Sequence, residues 1–149
     1  MKNLFEAATA EEVRERLAQM RPDSERLWGK MSPAQALAHC TAAMEVSVGL
    51  KFPPRSLIGR LFGRRAKSRL LSEKPVPRNL PTDKSFVVKH DRDFVAERQR
   101  LRGLIDRFAT GGPAGCTKHP HSFFGPMTPE EWAALNYKHL DHHLRQFGV

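Results

Sequence analysis

The chain has 149 residues, of which 40% are hydrophobic and 28% charged, and this composition predicts one globular domain over residues 1–149. It contains no apolar run of about 18 residues, and no apolar stretch precedes Glu11, so neither a membrane-spanning helix nor a secretory signal is predicted. Cys40 and Cys116 are too few for a disulfide framework, and we expect a reduced, cytoplasmic location.

The net charge of +9 is distributed unevenly along the chain. Residues 51–74 contain eight of the 25 Lys and Arg residues but only one of the 16 acidic residues, and the rest of the chain is almost balanced. The sequence therefore predicts a local basic patch rather than a nucleic-acid-binding surface spread over the whole fold.

Three segments carry the same signal for the start of a helix. Thr9, Ser32 and Thr128 are each followed three residues later by Glu or Gln, which is the pattern of a capping box. Pro33 and Pro129 stand at the first helical position, where the missing N–H costs nothing. From these signals and the spacing of apolar residues we place four long helices, at residues 10–20, 33–50, 92–109 and 129–147.

Four long helices in a small domain predict an all-α fold, a four-helix bundle with a basic excursion between the second and third of these helices. Within the excursion, residues 56–71 have the pattern of an amphipathic cationic helix. We expect its apolar side to be packed and its basic side to face water, so neither nucleic acid nor a membrane is the expected partner. In the alternative, Arg60, Arg64 and Arg65 bind anionic groups, and the 51–74 segment binds nucleic acid or lipid.

Two histidines of the last predicted helix can bind one metal ion. His139 and His143 are four residues apart, so both imidazoles lie on one face of the helix, among its apolar residues. His142 falls at the edge of that face. The opposite side is expected to point to water and carries Lys138, Asp141 and Arg145.

A metal site needs at least a third ligand, and His39, His90, His119 and His121 are the candidates. His39 is favoured because it lies among the apolar and small residues of the second long helix, and facing helices of a bundle can bring ligands together. Three neutral imidazoles suit Zn, Ni or Fe as divalent ions and leave coordination positions open. In the alternative, these histidines are packed core residues that hydrogen-bond to backbone carbonyls.

The residues expected to line a substrate pocket are Trp28, Asn136, His119, His121 and Phe124. His119 and His121 lie in a loop with several prolines, and we expect them at the mouth of the site rather than in the core. No residue is identified as catalytic, because the chain offers no clear general base; Glu45 and Asn136 are the only suggestions.

Three segments together resemble the DinB-like superfamily. They are Trp28-Gly-Lys-Met-Ser-Pro-Ala-Gln-Ala-Leu-Ala-His39, Pro77-Arg-Asn-Leu-Pro-Thr82, and His121-Ser-Phe-Phe-Gly-Pro-Met-Thr-Pro-Glu-Glu-Trp132 with the His-rich helix after it. The resemblance covers nearly the whole chain and is closest to a branch known only as a domain of unknown function.

The resemblance implies a four-helix bundle, often a homodimer, with a divalent metal bound by one His of the second helix and a His-x-x-x-His pair of the last. On this sequence these positions are His39, His139 and His143. Relatives in that superfamily include thiol-dependent transferases, so the expectation is a metal-dependent enzyme acting on a small molecule, with a low-molecular-weight thiol or water as nucleophile. The alternative is a metal-binding or structural bundle without catalysis.

Overall fold

A computed structural model describes residues 1–80 and 86–149 of the chain. These residues form five α-helices and a 3-10 turn at Pro113–Gly115. The helices are α1 (Ala7–Gln19), α2 (Pro33–Ser47), α3 (Leu57–Leu70), α4 (Phe94–Gly111) and α5 (Pro129–Gln146). Within the described ranges there is no strand, so the predicted all-α class is confirmed, with five helices. Pro81 and Thr82, which end the second resemblance segment, lie outside the described residues.

Two of the three predicted capping boxes are confirmed. The Ser32 hydroxyl accepts a hydrogen bond from the Gln35 backbone N–H, and the Gln35 side chain accepts one from the Ser32 backbone N–H; Thr128 and Glu131 do the same at α5. The box predicted at Thr9 is wrong. Helix α1 already begins at Ala7, and the Thr9 hydroxyl donates to the Glu6 carboxylate instead of accepting from the backbone.

The core lies between four of the five helices. Helix α2 packs against α4 and α5, and α1 packs against the same two helices. The apolar stripes predicted for these helices are buried, among them Val13, Leu17, Leu101, Ile105, Phe108, Trp132, Leu140 and Leu144. The packing of α2 beside α5 sets the positions of the three histidines predicted as ligands.

Helix α3 lies outside this core and packs against the backbone of the loop before α5. Its two buried residues are Gly59 and Gly63, and a Cβ atom built at either would lie 2.6 Å or 2.0 Å from the carbonyl oxygen of Phe123. Four large apolar residues in the first two turns of α3 are 60–78% exposed, namely Leu57, Ile58, Leu61 and Phe62, whereas Leu70 at its end is half-buried. The expectation of a packed apolar side is therefore wrong, because the glycine face is the one that approaches the protein.

None of the described helices combines the length and the apolar character needed to cross a membrane.

Candidate metal centre

Three histidines from two helices meet between α2 and α5. One nitrogen from each of His39, His139 and His143 lies within 4.8 Å of the other two. The Nε2 atoms of His39 and His139 are 2.8 Å apart, although these residues are 100 positions apart in the sequence. Within the described ranges this is the only group of three or more His, Cys, Asp or Glu side chains close enough to share an ion. The sequence-based choice of His39 as the third residue agrees with this geometry.

The ring of His39 is held by a backbone carbonyl. Its Nδ1 atom lies 2.9 Å from the carbonyl oxygen of Phe86, and a carbonyl can only accept, so Nδ1 carries the proton. In the neutral ring, Nε2 is therefore a lone pair directed at His139. Hydrogen bonds of this kind orient metal-ligating histidines and fix their tautomer.

The ring of His143 is fixed in the same way by a side chain. Its Nδ1 atom donates to Oε1 of Gln146 over 2.9 Å, and Nε2 of Gln146 donates to the carbonyl oxygen of Trp28 over 2.8 Å. The bond to Trp28 identifies Oε1 as the accepting end of the amide. The Nε2 lone pair of His143 is thus available to a ligand, as that of His39 is.

Burial keeps all three rings neutral. It lowers the pKa of His39, and it lowers the pKa of His139 far more, with His39 and His143 as further unfavourable neighbours. Burial is also the main reason that the pKa of His143 falls to about 3, followed by the proximity of His39. Neutral imidazole is the form that binds metal.

The contact between His39 and His139 therefore has two chemical explanations. Either His139 donates an N–H to the lone pair of His39, or the lone pairs of both rings are directed at one cation. Three neutral imidazoles, of which His39 is buried and His139 and His143 are half-buried, fit a divalent ion of the Zn, Ni or Fe type, and two of them have a fixed tautomer.

One side of the cluster is bordered by Trp28 and His142. The ring of His142 lies 5.1 Å from that of His143 and 5.5 Å from that of Trp28. The guanidinium of Arg78 covers the Trp28 ring at 4.2 Å from its centroid. Trp28, which was expected to line a substrate pocket, thus lies beside the cluster. Arg78 was not among the predicted site residues, since nothing in its local sequence distinguishes it from the other exposed arginines.

The two loop histidines have different positions. His121 is close enough to contribute to the lowered pKa of His139, after burial and the nearer histidines, and its ring packs 5.5 Å from Trp132 and 4.6 Å from Phe124. His119 lies elsewhere, with Nε2 at 3.2 Å from the carbonyl oxygen of Pro53. His121 therefore lies near the histidine cluster, with Phe124 beside it. His119 instead contacts the first part of the excursion. The remaining ligand candidate, His90, is exposed in the segment before α4.

Asn136 lies on the same face of α5 as the ligands, within about 60° of both histidines at 100° per residue. Its side-chain Nδ2 is buried, and so are the indole N–H groups of Trp28 and Trp132. None of these three donors has a hydrogen-bond partner in residues 1–80 and 86–149. Buried donors without partners cost free energy, and they are free to bind an acceptor group of a ligand.

A polar cavity of about 120 Å³ lies beside α2, lined in part by Phe86. Ala38 and Ala42 line this cavity, and their small side chains leave room for it. Its charged lining includes Glu45 with Lys51 and Arg100, both of which pair with the Glu45 carboxylate. Glu45, suggested as a base, thus belongs to this cavity and to an ion-pair network.

Two expectations about side-chain direction need correction. Lys138 was expected to point to water but is buried, and its Nζ donates to the carbonyl oxygens of Ser72 and Lys74. The segment after α3 therefore covers this side of α5, which a helical wheel cannot reveal. Asp141 is partly covered because it pairs with Arg16.

The anion-binding candidates Arg60, Arg64 and Arg65 are exposed on α3, and that helix contributes no ligand to the cluster.

Comparison with known proteins gives a family but no activity. A search of curated proteins and a search of solved structures each found no match to the chain. One family model matches residues 3–148, which is nearly the full length. The chain therefore belongs to the family described as "Protein of unknown function (DUF1569)".

Proposed function

We propose that this protein is a metal-dependent enzyme of the DinB-like superfamily, with His39, His139 and His143 as ligands of one Zn, Ni or Fe ion. The observation that carries the proposal is the meeting of three neutral imidazoles within 4.8 Å, two of them held in the ligating tautomer by Phe86 and Gln146. The proposal includes a four-helix bundle made of α1, α2, α4 and α5, with α3 as the excursion.

Three protein ligands leave coordination positions for a nucleophile and a substrate. An ion held by these three histidines would supply Lewis acidity, which favours the deprotonated form of a thiol or water at neutral pH. Phe86 and Gln146 keep the rings of His39 and His143 in place.

The thiol in this proposal comes from a small molecule. Burial raises the pKa of Cys40 far above the ordinary range, and burial together with Glu130 raises the pKa of Cys116 to about 11. Neither cysteine is thus a thiolate at neutral pH. The guanidinium of Arg78 over Trp28 offers a positive charge at the border of the cluster, which suits a carboxylate of a low-molecular-weight thiol. The unpaired N–H groups of Asn136 and Trp28 are the donors we assign to the substrate.

A second candidate is a metal-binding protein without catalysis. It is favoured by the absence, in the described part of the chain, of any carboxylate hydrogen-bonded to the three histidines. Asp141 pairs with Arg16, and Glu45 pairs with Lys51 and Arg100. If the protein is instead the enzyme proposed above, proton transfer depends on the substrate itself or on His142.

The first test is metal content measured by elemental analysis on protein purified without a histidine tag. We expect about one metal ion per chain in the wild type and in His142→Ala, and none in His39→Ala or His143→Ala. His142→Ala is the matched control because it removes an imidazole next to the cluster but outside it. Circular dichroism of each variant verifies that the helices are intact.

A metal-free wild type after reconstitution with Zn, Ni and Fe would contradict the site. The loaded protein is then assayed with a panel of small thiols and electrophiles. Turnover that is lost in His143→Ala supports the enzyme, whereas tight metal binding without turnover supports the second candidate. Light scattering tests the homodimer that forms part of the proposal.

A further inference from the structure

The exposed side of α3 has two chemically different halves. At 100° per residue, Leu57 and Leu61 lie opposite the two glycines and Ile58 and Phe62 lie on the flank next to them, all in the first two turns. The same side of the last two turns carries Arg64, Arg65 and Arg69. Because the four apolar residues are 60–78% exposed, water covers a hydrophobic area next to a cationic one.

The hydrophobic half extends beyond the helix. Leu50 and Phe52, in the segment that leads into α3, are 49% and 61% exposed. Six large apolar side chains are thus exposed between residues 50 and 62, on a chain whose other helices bury their apolar stripes. A solvated position for so many neighbouring apolar groups is unfavourable unless another surface covers them.

The charge around this surface has one sign. Residues 51–72 contain no Asp or Glu. Arg60, Arg64, Arg65 and Arg69 form no ion pair within residues 1–80 and 86–149. Among the described residues, the cation of α3 that has an acidic partner is Lys67, which contacts Glu131 on the protein side. The exposed side of α3 therefore complements a partner that has anionic groups at its surface and an apolar layer directly below them.

We propose that α3 and the segment before it bind the surface of an anionic phospholipid membrane, through residues that are not among the three histidines of the metal centre. The apolar first turns enter the boundary between headgroups and acyl chains, and the arginines of the last turns bind lipid phosphates. The buried glycine face keeps the helix flat on the protein, so the apolar side chains point outward before any membrane is present.

A second copy of the chain fits this face less well. Parallel pairing of two α3 helices over their full length would place arginines against arginines. Antiparallel pairing would place arginines against the exposed leucines. Nucleic acid would bind the arginines but leave the apolar half exposed to water, and only Phe52 and Phe62 are available for stacking.

The test is sedimentation of the full chain with vesicles of phosphatidylcholine containing phosphatidylserine, and with vesicles of phosphatidylcholine alone. We expect binding to the anionic vesicles only. Leu57→Gln with Leu61→Gln should weaken it by roughly tenfold for each leucine removed. Arg64→Gln with Arg65→Gln should weaken it by about fivefold for each arginine removed. All four side chains are exposed, so both double variants keep the fold.

Matched controls on α4 are Val95→Gln and the pair Arg102→Gln with Arg107→Gln, which change exposed residues of the same kinds. They should bind vesicles like the wild type. Absence of binding to anionic vesicles, or binding that both α3 variants retain, overturns the proposal. A dimer that dissociates in the Leu57/Leu61 variant, without vesicle binding, would instead identify this face as an interface between copies. Binding to duplex DNA that depends on the arginines but not the leucines also overturns it.

Discussion

Gln146 connects the histidine cluster to the segment before α2. Its amide accepts from His143 and donates to the backbone of Trp28, so one side chain both orients a ligand and fastens Trp28 at the border of the site. Gln146 is buried and lies three residues after His143, where helical spacing brings the two side chains together.

Replacement of this amide tests its role in metal binding. Gln146→Met keeps the size of the side chain but removes both hydrogen bonds, and we expect the metal dissociation constant to rise by about 10-fold to 100-fold. Competition with a chromophoric chelator measures this change. Asn136→Ala, which removes a polar group of the same face without a bond to a ligand, should change affinity much less. Equal losses of metal affinity in both variants would argue against an orienting role for Gln146.

The two cysteines provide a second residue-level prediction. With a pKa of about 11, the Cys116 thiol is almost entirely protonated at neutral pH, and Cys40 is more strongly protected because it is fully buried. We expect alkylation of Cys116 by iodoacetamide to accelerate about tenfold per pH unit between pH 7 and 10. Mass spectrometry of each cysteine peptide measures the rates. A plateau near pH 8 would contradict the raised pKa.

At the level of elements, α3 differs from the others because its packing depends on the absence of side chains. A Cβ at Gly63 would lie 2.0 Å from the Phe123 carbonyl oxygen, which belongs to the backbone and cannot rotate away. The contact also turns the apolar residues of α3 outward. The absence of a side chain at Gly63 is thus required for the apolar residues of α3 to face outward, although Gly63 itself is on the opposite, buried side.

A pair of glycine substitutions separates this effect from helix propensity. Gly63→Ala should destabilise the protein by about 1–3 kcal/mol, because α3 must shift away from the loop. Gly103→Ala, in α4, meets nothing within 4 Å and should stabilise it by about 0.5–1 kcal/mol through helix propensity. Urea unfolding gives both values. Stabilisation by Gly63→Ala would mean that α3 does not rest on the loop.

Helix positions could be predicted because their signals are local. The boxes at Ser32 and Thr128 and the apolar stripes of α1, α4 and α5 depend on spacing alone. Thr9 failed because Glu6, three residues earlier, starts α1 and engages the Thr9 hydroxyl. The direction of α3 and the burial of Lys138 could not be predicted, since each depends on a segment distant in sequence.

The three histidines of the cluster could also be predicted from signals that are local in the sequence. His139 and His143 share a helix face by spacing, and His39 followed from the small, apolar character of α2. Phe86 and Arg78 were not identified because they lie in the excursion, where no periodic pattern relates residues to the core. Long-range contacts of this kind are visible only in the folded chain.

At the level of the whole molecule, a metal ion would connect the first half of the chain to its end. His39 and His139 are 100 residues apart, so only the folded chain offers all three ligands. Metal at about 100 times its dissociation constant should stabilise the fold by about 2.7 kcal/mol. For a chain of this size that raises Tm by roughly 5–10 °C.

Differential scanning fluorimetry with and without Zn or Ni measures this shift. His139→Ala should show no shift, whereas His90→Ala, which removes an exposed histidine outside the cluster, should show the wild-type shift. A shift that persists in His139→Ala would place the stabilising ion elsewhere.

Helix α3 is attached to the loop before α5 at several points. The Ser56 N–H donates to the Ser122 carbonyl over 2.9 Å, the glycines rest on Phe123, and Lys67 bonds to the Pro126 carbonyl and the Glu131 carboxylate. The same loop carries His121, whose ring packs on Trp132 of the ligand-bearing helix. The outer surface and the histidines are therefore not mechanically independent: a force that displaces α3 also displaces the loop, and through it the surroundings of His139.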